Sequence, residues 1–213
     1  MRGSESAREP FLESLMIDVN SAMQRRESDD NQSHRRELVR TLFAAMDGLV
    51  WIYRTHILEI AIASEELMLE EKMAFSEKSI SVSEQGRIIT QDRFISMLAM
   101  VRLTSRLATR INPAFQPEFG TEGWDYLRKA LKLRNCVTHP KSTLDLEITS
   151  ENLSTCSAAF YWLFEHCLVG METANIAVKR YAGLFREILE KLKAEDPKTL
   201  AMYNTITEAL RGS

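Results

Sequence analysis

Apolar residues recur at intervals of three or four along most of the chain, which is the spacing of amphipathic helices. Runs with this spacing cover residues 9–26, 35–75, 92–109, about 121–139, 151–193 and 198–210. Residues 76–91 lack it, and there Ile80-Ser81-Val82 and Ile88-Ile89 flank a Gly-containing stretch, which predicts a loop or a small β-hairpin. The pattern therefore predicts an all-α protein, a helical bundle with long antiparallel helices.

Polar and turn-forming residues mark where these helices begin and end. One of Asp30, Asn31 and Ser33 is expected to cap the second helix, and Thr149 the long helix that follows it. Pro140 should end a helix at His139, because proline disfavours helical geometry at the residue before it. The run 35–75 is long for one helix, and Gly48 is a candidate position for a bend.

Composition limits the class of protein. Of the 213 residues, 45% are hydrophobic, with only eight Gly and five Pro, as expected for a helical domain. The three cysteines have no CxxC spacing, which favours reduced, packed thiols in a cytoplasmic protein. The first ten residues lack the apolar run of a targeting signal, and the longest apolar run, 42–53, is too short to cross a membrane.

Charge is unevenly distributed although the net charge is only -3. Residues 87–141 contain ten Lys or Arg and four Asp or Glu, which favours an anionic ligand for this part of the chain. Arg102, Arg106 and Arg110 form a row along one predicted helix. Such a row is more often a solvated face than a phosphate-contacting stripe, and both interpretations stay open.

Arg134 stands where an apolar residue would be expected. One helical stripe reads Trp124, Leu127, Leu131, Arg134, Thr138. Burying an unpaired guanidinium is costly, so Arg134 should face a cleft or an interface, or be paired with an acid such as Asp47.

Asn135 and His139 are four residues apart and share a side of the same helix. If the helix ends at His139, its imidazole is free to turn toward Arg134. The simpler interpretation is that Arg and His occupy a last helical turn because they complement the helix dipole.

The remaining histidines favour structural roles. His56 and His166 lie in apolar or aromatic runs and are expected in the core, whereas His34 is expected at the surface. No spacing of His and acidic residues resembles a zinc or di-iron site, and no Gly-rich phosphate loop is present, so we expect neither metal nor cofactor.

The sequence Arg134-Asn135-x-x-x-His139, late in an amphipathic helix and followed by Pro and another long helix, resembles the motif of the HEPN superfamily. The resemblance implies a HEPN-like helical bundle over residues 31–193, with an N-terminal helical extension (1–30) and a short C-terminal helix (194–213). It also implies a homodimer in which two motifs face one cleft. Many HEPN proteins are metal-independent endoribonucleases that act as toxins or in phage defence, and others are non-catalytic binding modules.

In a catalytic member, RNA would be cut by attack of its own 2′-hydroxyl on the adjacent phosphate. His139 would move the proton, Arg134 would stabilise the developing charge, and Asn135 would orient the phosphate or the imidazole. Arg102, Arg106, Arg110 and Lys141 would contact RNA, and an antitoxin or regulatory protein would be a further partner. The alternatives are a non-catalytic module that binds a nucleotide, RNA or a protein, and a helical dimerisation scaffold.

Overall fold

The computed structural model describes residues 5–65 and 67–211 and is mostly helical. The elements in chain order are α1 (Glu5–Ser28), α2 (Gln32–Ala63), α3 (Leu69–Phe75), β1 (Lys78–Val82), β2 (Ile88–Asp92), α4 (Met97–Ile111), α5 (Glu122–Thr138), a 3-10 turn (Thr143–Leu146), α6 (Ser150–Lys193) and α7 (Pro197–Arg211). The predicted all-α bundle is therefore confirmed.

The first helix packs along α2 and contributes Val19 and Ala22 to the common hydrophobic core. At Gly48 the two helices approach closely, since a Cβ there would lie 2.4 Å from a methyl carbon of Leu15. Gly48 lies inside the continuous α2 and is buried. The missing side chain at Gly48 makes room for α1, and a bend of α2 at this position stays a prediction.

The helical run 35–75 is divided rather than continuous. The break falls after Ala63, where Ser64 caps α2 and Glu65 adopts a left-handed backbone with φ of 57°. The chain then forms the short helix α3. Just after α3, Glu77 accepts a hydrogen bond of 2.7 Å from Arg54 of α2, which holds this segment against α2. The run predicted to be helical throughout is therefore two helices, and neither Gly nor Pro marks the reversal between them.

Residues 76–91 do form a hairpin. Strands β1 and β2 pair antiparallel with Lys78 opposite Asp92 and Val82 opposite Ile88. Gly86 has a φ of 74°, the left-handed conformation that this tight connection requires. Because β2 extends to Asp92, helix α4 begins later than predicted, after the cap Ser96, whose hydroxyl accepts from the Ala99 amide.

The two longest helices, α2 and α6, run in the same direction. Gln32 at the start of α2 bonds Ile148 just before α6, and His56 near its end lies 2.9 Å from Asn175. The expectation of antiparallel long helices fails for this pair, because the chain crosses the bundle an odd number of times between the end of α2 and the start of α6. Helix α5 runs opposite to both and packs between them and the connector.

The long helix α6 is continuous over 44 residues, as the apolar stripe predicted. It starts with a reciprocal cap in which the Thr149 hydroxyl accepts from the Asn152 amide and the Asn152 side chain accepts from the Thr149 amide, both at 3.1 Å. Among the described residues, no helix has the length and apolar character required to cross a membrane.

Candidate functional site

An open cavity of about 210 Å³ lies between the middle of α2 and the C-terminal half of α5. Its wall combines two arginines, one aspartate and one hydroxyl with an apolar floor. The lining residues are Val39, Arg40, Phe43, Ala44, Asp47, Arg134, Val137 and Thr138. A cavity with converging cationic groups is suited to an anionic ligand.

Arg134 is held at this wall by two contacts from α2. Its Nη2 donates to Asp47 Oδ2 at 3.1 Å, and its guanidinium carbon lies 5.8 Å from the centre of the Phe43 ring. The Arg134 side chain is 35% exposed. The prediction that Arg134 would be paired or face a cleft is confirmed, since both hold, and Asp47 is the partner.

The carboxyl of Asp47 lies in a mixed environment. Burial raises the pKa of Asp47 above its usual range, and the nearby positive charge of Arg134 partly opposes that rise. Half of the Asp47 side chain remains exposed. A ligand in the cavity can therefore compete with Asp47 for the guanidinium, because the ion pair is open to solvent.

The end of α5 is fixed as Pro140 predicted. The helix stops at Thr138, and the His139 amide donates to the Asn135 carbonyl oxygen at 3.0 Å. The backbone then turns at Asp145, whose Oδ2 accepts from the amides of Lys141 and Ser142 at 2.8 and 2.9 Å.

The connector after the turn is fastened to α2. Arg36 bonds the Leu146 carbonyl at 3.0 Å, and Arg35 bonds the Ile148 carbonyl at 2.8 Å. These contacts come from two consecutive residues in the first turns of α2. They restrain the segment that follows His139, so the position of the helix end is set by the bundle.

Asn135 and His139 are both exposed, and neither belongs to the cavity wall. Arg134 faces α2, whereas the side chains of Asn135 and His139 are presented to solvent at the end of the same helix. The motif thus divides into a cationic group anchored in the cavity and two polar groups beside it. The structure therefore does not bring Asn135 and His139 into the cavity with Arg134.

The arginine row on α4 does not behave as one surface. Arg102 lies over the Trp124 and Phe119 rings, at 4.9 and 5.2 Å from their centres. Arg110 forms a two-pronged ion pair with Glu71. Arg106 is exposed and so is Arg102, whose guanidinium is stacked on the two rings, whereas Arg110 is half-buried.

The row and the motif lie at different levels of the bundle. Arg102 stacks on Trp124, ten residues before Arg134 on α5, which corresponds to about 15 Å along a helix. Lys141 is exposed in the connector just after His139. Of the four basic residues predicted to contact RNA, Lys141 lies closest to His139 along the chain.

Three lining residues, Arg40, Phe43 and Thr138, were not predicted as site residues from the sequence. Arg40 lies seven residues before Asp47, which places both on one face of α2, and this spacing could have identified it. Thr138 was noted only as the end of an apolar stripe. Phe43, beneath the guanidinium, carried no signal that separates it from an ordinary core residue.

A second polar cluster lies deeper in the bundle. Ser105 Oγ lies 2.8 Å from His166 Nε2 and accepts from the Tyr53 hydroxyl at 3.3 Å. Trp162 stacks on the His166 ring, with ring centres 4.9 Å apart.

This serine–histidine pair is placed for structure rather than for nucleophilic catalysis. Ser105 is completely buried, and burial lowers the pKa of His166 to about 4, which makes it a weak base near neutral pH. His166 therefore has the structural role that the sequence predicted, although its partner Ser105 could not be predicted.

The three cysteines are the remaining candidates for reactive groups. Cys156 and Cys167 are buried and Cys136 is exposed, all as free thiols. Within residues 5–65 and 67–211, no group of three or more His, Cys, Asp or Glu is placed to hold a metal ion. Comparison of the chain with protein-family models, with curated proteins and with solved structures finds no match.

Proposed function

We propose that this protein is a metal-independent endoribonuclease of the HEPN type, acting as a homodimer in toxin or defence biology. The observation that carries the proposal is the position of Arg134. Its guanidinium is fixed at the wall of an open cavity, partly exposed, with a second arginine, Arg40, in the same wall. A planar guanidinium in such a position is suited to a phosphate of the RNA backbone.

The exposed end of α5 would supply the proton transfer. His139 and Asn135 are accessible to a strand that passes over the helix end, while Arg134 is reached from the cavity side. In the proposed reaction the 2′-hydroxyl oxygen forms a bond to the neighbouring phosphorus, and the bond from phosphorus to the 5′-oxygen breaks. A base removes the 2′-proton and an acid protonates the leaving oxygen, and the products are a 2′,3′-cyclic phosphate and a 5′-hydroxyl.

One histidine cannot serve as both acid and base in the same protonation state. A second His139, from a second copy facing the same strand, would complete the pair. Arg134 would stabilise the charge that develops on phosphorus. Under this proposal the isolated subunit binds RNA but cleaves it poorly.

A second candidate function is a non-catalytic module for nucleotide or RNA phosphates. The observation in its favour is that the cavity holds Arg40, Arg134 and Thr138 but not His139. Two guanidiniums and a hydroxyl can bind a phosphate without any proton transfer. This alternative predicts binding that depends on both arginines and is indifferent to His139.

The test of the proposed function uses purified protein, a single-stranded RNA and the same sequence with 2′-deoxy sugars, all in excess EDTA. The proposal expects cleavage of the RNA, with cyclic phosphate and 5′-hydroxyl ends, and no cleavage of the deoxy strand. Binding of both strands without cleavage of either would support the non-catalytic module. Cleavage of the deoxy strand would contradict the 2′-hydroxyl mechanism.

A further inference from the structure

The C-terminal part of α6 leaves the bundle and is not covered by it. Every residue from Val178 to Lys191 is exposed, whereas Ala174 and Ala177, just before them, are buried. These fourteen exposed positions correspond to about 21 Å of helix. We call this segment, residues 178–193 of α6 together with α7, the C-terminal arm.

The turn between the two helices of the arm is well defined. Glu195 has a left-handed backbone with φ of 54°, and the Asp196 amide donates back to the Lys191 carbonyl at 3.0 Å. The Asp196 carboxylate then accepts from the Thr199 amide and hydroxyl at 2.9 and 2.7 Å, which caps α7. The arm thus consists of two helices joined by a well-defined turn, and the two helices contact each other mainly near that turn.

Both helices of the arm carry an apolar stripe that is exposed in the part of the subunit that the structure describes. On α6 the stripe includes Tyr181, Phe185 and Ile188, which are 57%, 66% and 37% exposed. Their spacing continues the stripe that is buried earlier in α6, and the charged residues of this segment lie on the opposite side of the helix.

The apolar stripe of α7 is also exposed. Met202, Tyr203 and Ile206 are each about half exposed, at 50%, 53% and 52%. They share a helical face with Thr199, which is buried. The α7 stripe therefore begins under cover at the turn and becomes exposed as the helix continues.

We infer that this arm is a docking surface for a second copy of the same chain. The two stripes stay exposed in one subunit, whereas two arms related by a two-fold axis can bury them against each other in a common core of four helices. Side chains of these sizes and exposures offer on the order of 1,000 Å² per copy, compared with the roughly 800 Å² per partner that a stable interface buries.

The chemistry of the stripe favours this occupant over a charged one. Its exposed side chains are aromatic and aliphatic without a charged residue among them, so a polyanion gains nothing there. A two-fold contact lets aromatic residues such as Tyr181 and Phe185 pack against the same stripe of the other copy, which is self-complementary by symmetry. The inference rests on the exposed stripe and not on the nuclease proposal.

The test is the mass of the full-length chain in solution, measured by light scattering or sedimentation at micromolar concentration. The wild type is expected at twice its chain mass of 24.4 kDa. Phe185→Glu, on α6, and Tyr203→Glu, on α7, should each raise the dimer dissociation constant at least about 100-fold, since each introduces two charges into an apolar core. Because both residues are exposed in one subunit, circular dichroism should show folded monomers.

The matched control is Tyr161→Glu, which makes the same chemical change at an aromatic residue of α6 that is 59% exposed but lies in the bundle region. This variant should stay dimeric. A monomeric wild type, a dimer resistant to both arm variants, or dissociation by Tyr161→Glu alone would overturn the inference. Flotation of a monomeric wild type with phosphatidylglycerol vesicles would assign the arm to a membrane surface instead.

RNA cleavage by each variant, measured in parallel, separates the two proposals. Loss of the dimer by the arm variants is expected whether or not the wild type cleaves RNA. A wild type that dimerises through the arm but cleaves nothing contradicts only the nuclease proposal.

Discussion

Asp47 and Arg134 join α2 to α5 through a hydrogen bond of 3.1 Å between Oδ2 and Nη2. With the two side chains 50% and 35% exposed, such a pair contributes only about 0–1 kcal/mol to stability. Its stronger effect is on position, because it holds the guanidinium at the edge of the cavity. The pair therefore links the fold to the proposed chemistry.

Replacing Asp47 by Asn should strengthen RNA binding. The variant keeps the size of the side chain but removes the negative charge that competes with a phosphate for Arg134. We expect the dissociation constant for single-stranded RNA to fall by roughly three- to tenfold at low salt, with less than about 1 kcal/mol change in the free energy of unfolding. Fluorescence anisotropy with labelled RNA measures the first quantity and urea unfolding the second.

The matched control for this variant is Asp125→Asn, which removes an exposed carboxylate paired with Arg128 on the same helix α5. Equal tightening by both variants would mean that only the net charge matters, and would contradict a specific role for Asp47.

Two glycines of α6 should respond to alanine in opposite ways. At Gly170 a Cβ would lie 2.7 Å from the buried Tyr53 ring and hydroxyl, so Gly170→Ala should cost about 1–3 kcal/mol of unfolding free energy. At Gly183 a Cβ meets nothing within 4 Å, so Gly183→Ala should stabilise the helix by up to about 1 kcal/mol. Urea unfolding of both variants checks the prediction, and equal shifts would contradict the packing described.

Burial of His166 should make stability depend on pH. Its pKa is about 4 in the folded protein and 6.5 when unfolded, so the unfolded chain takes up a proton first as the pH falls. The stabilisation is complete above about pH 6.5, is lost as the pH falls toward 4, and amounts to about 3 kcal/mol at most.

The corresponding measurement is the unfolding free energy of the wild type and of His166→Gln between pH 7.5 and 4. The difference between the two proteins should shrink as the pH falls, because the glutamine side chain does not titrate. A constant difference would mean that the His166 ring is accessible to protons in the folded state.

RNA binding should depend on Arg106 more than on Arg110. Arg106 is exposed, whereas Arg110 is engaged with Glu71. If RNA passes over α4, Arg106→Ala should lower the slope of log affinity against log salt concentration by about 0.7. Arg180→Ala, an exposed arginine on the C-terminal arm, is the control, and an equal change of slope in both variants would indicate nonspecific binding.

The spacing of apolar residues predicted most of the helices, because the side chains that a helix packs into the core recur every three or four residues. The long α6, its cap at Thr149 and the end of α5 before Pro140 were all predictable from local signals. The break after Ala63 was not, since Glu65 takes a left-handed backbone that is normally filled by Gly or Asn. The direction of α2 relative to α6 could not be predicted from the sequence either, because it depends on how often the chain crosses the bundle between them.

Part of the candidate site was predictable for a physical reason. A guanidinium in an apolar stripe needs a partner, and this requirement pointed from Arg134 to Asp47. Arg40 shares a face of α2 with Asp47 and was predictable once Asp47 was placed at the site, whereas the contact of Ser105 with His166 and the position of Phe43 under Arg134 were not. Both depend on which faces of separate helices meet, and no local pattern specifies that contact.

The central claim is that His139 transfers a proton during RNA cleavage while Arg134 binds the phosphate. The most direct measurement compares single-turnover cleavage and RNA affinity for the wild type, His139→Gln and the control His56→Gln. The account predicts a 10²- to 10⁴-fold lower cleavage rate for His139→Gln with RNA affinity within about threefold of the wild type, and no change in rate for His56→Gln. Cleavage by His139→Gln at the wild-type rate would contradict it.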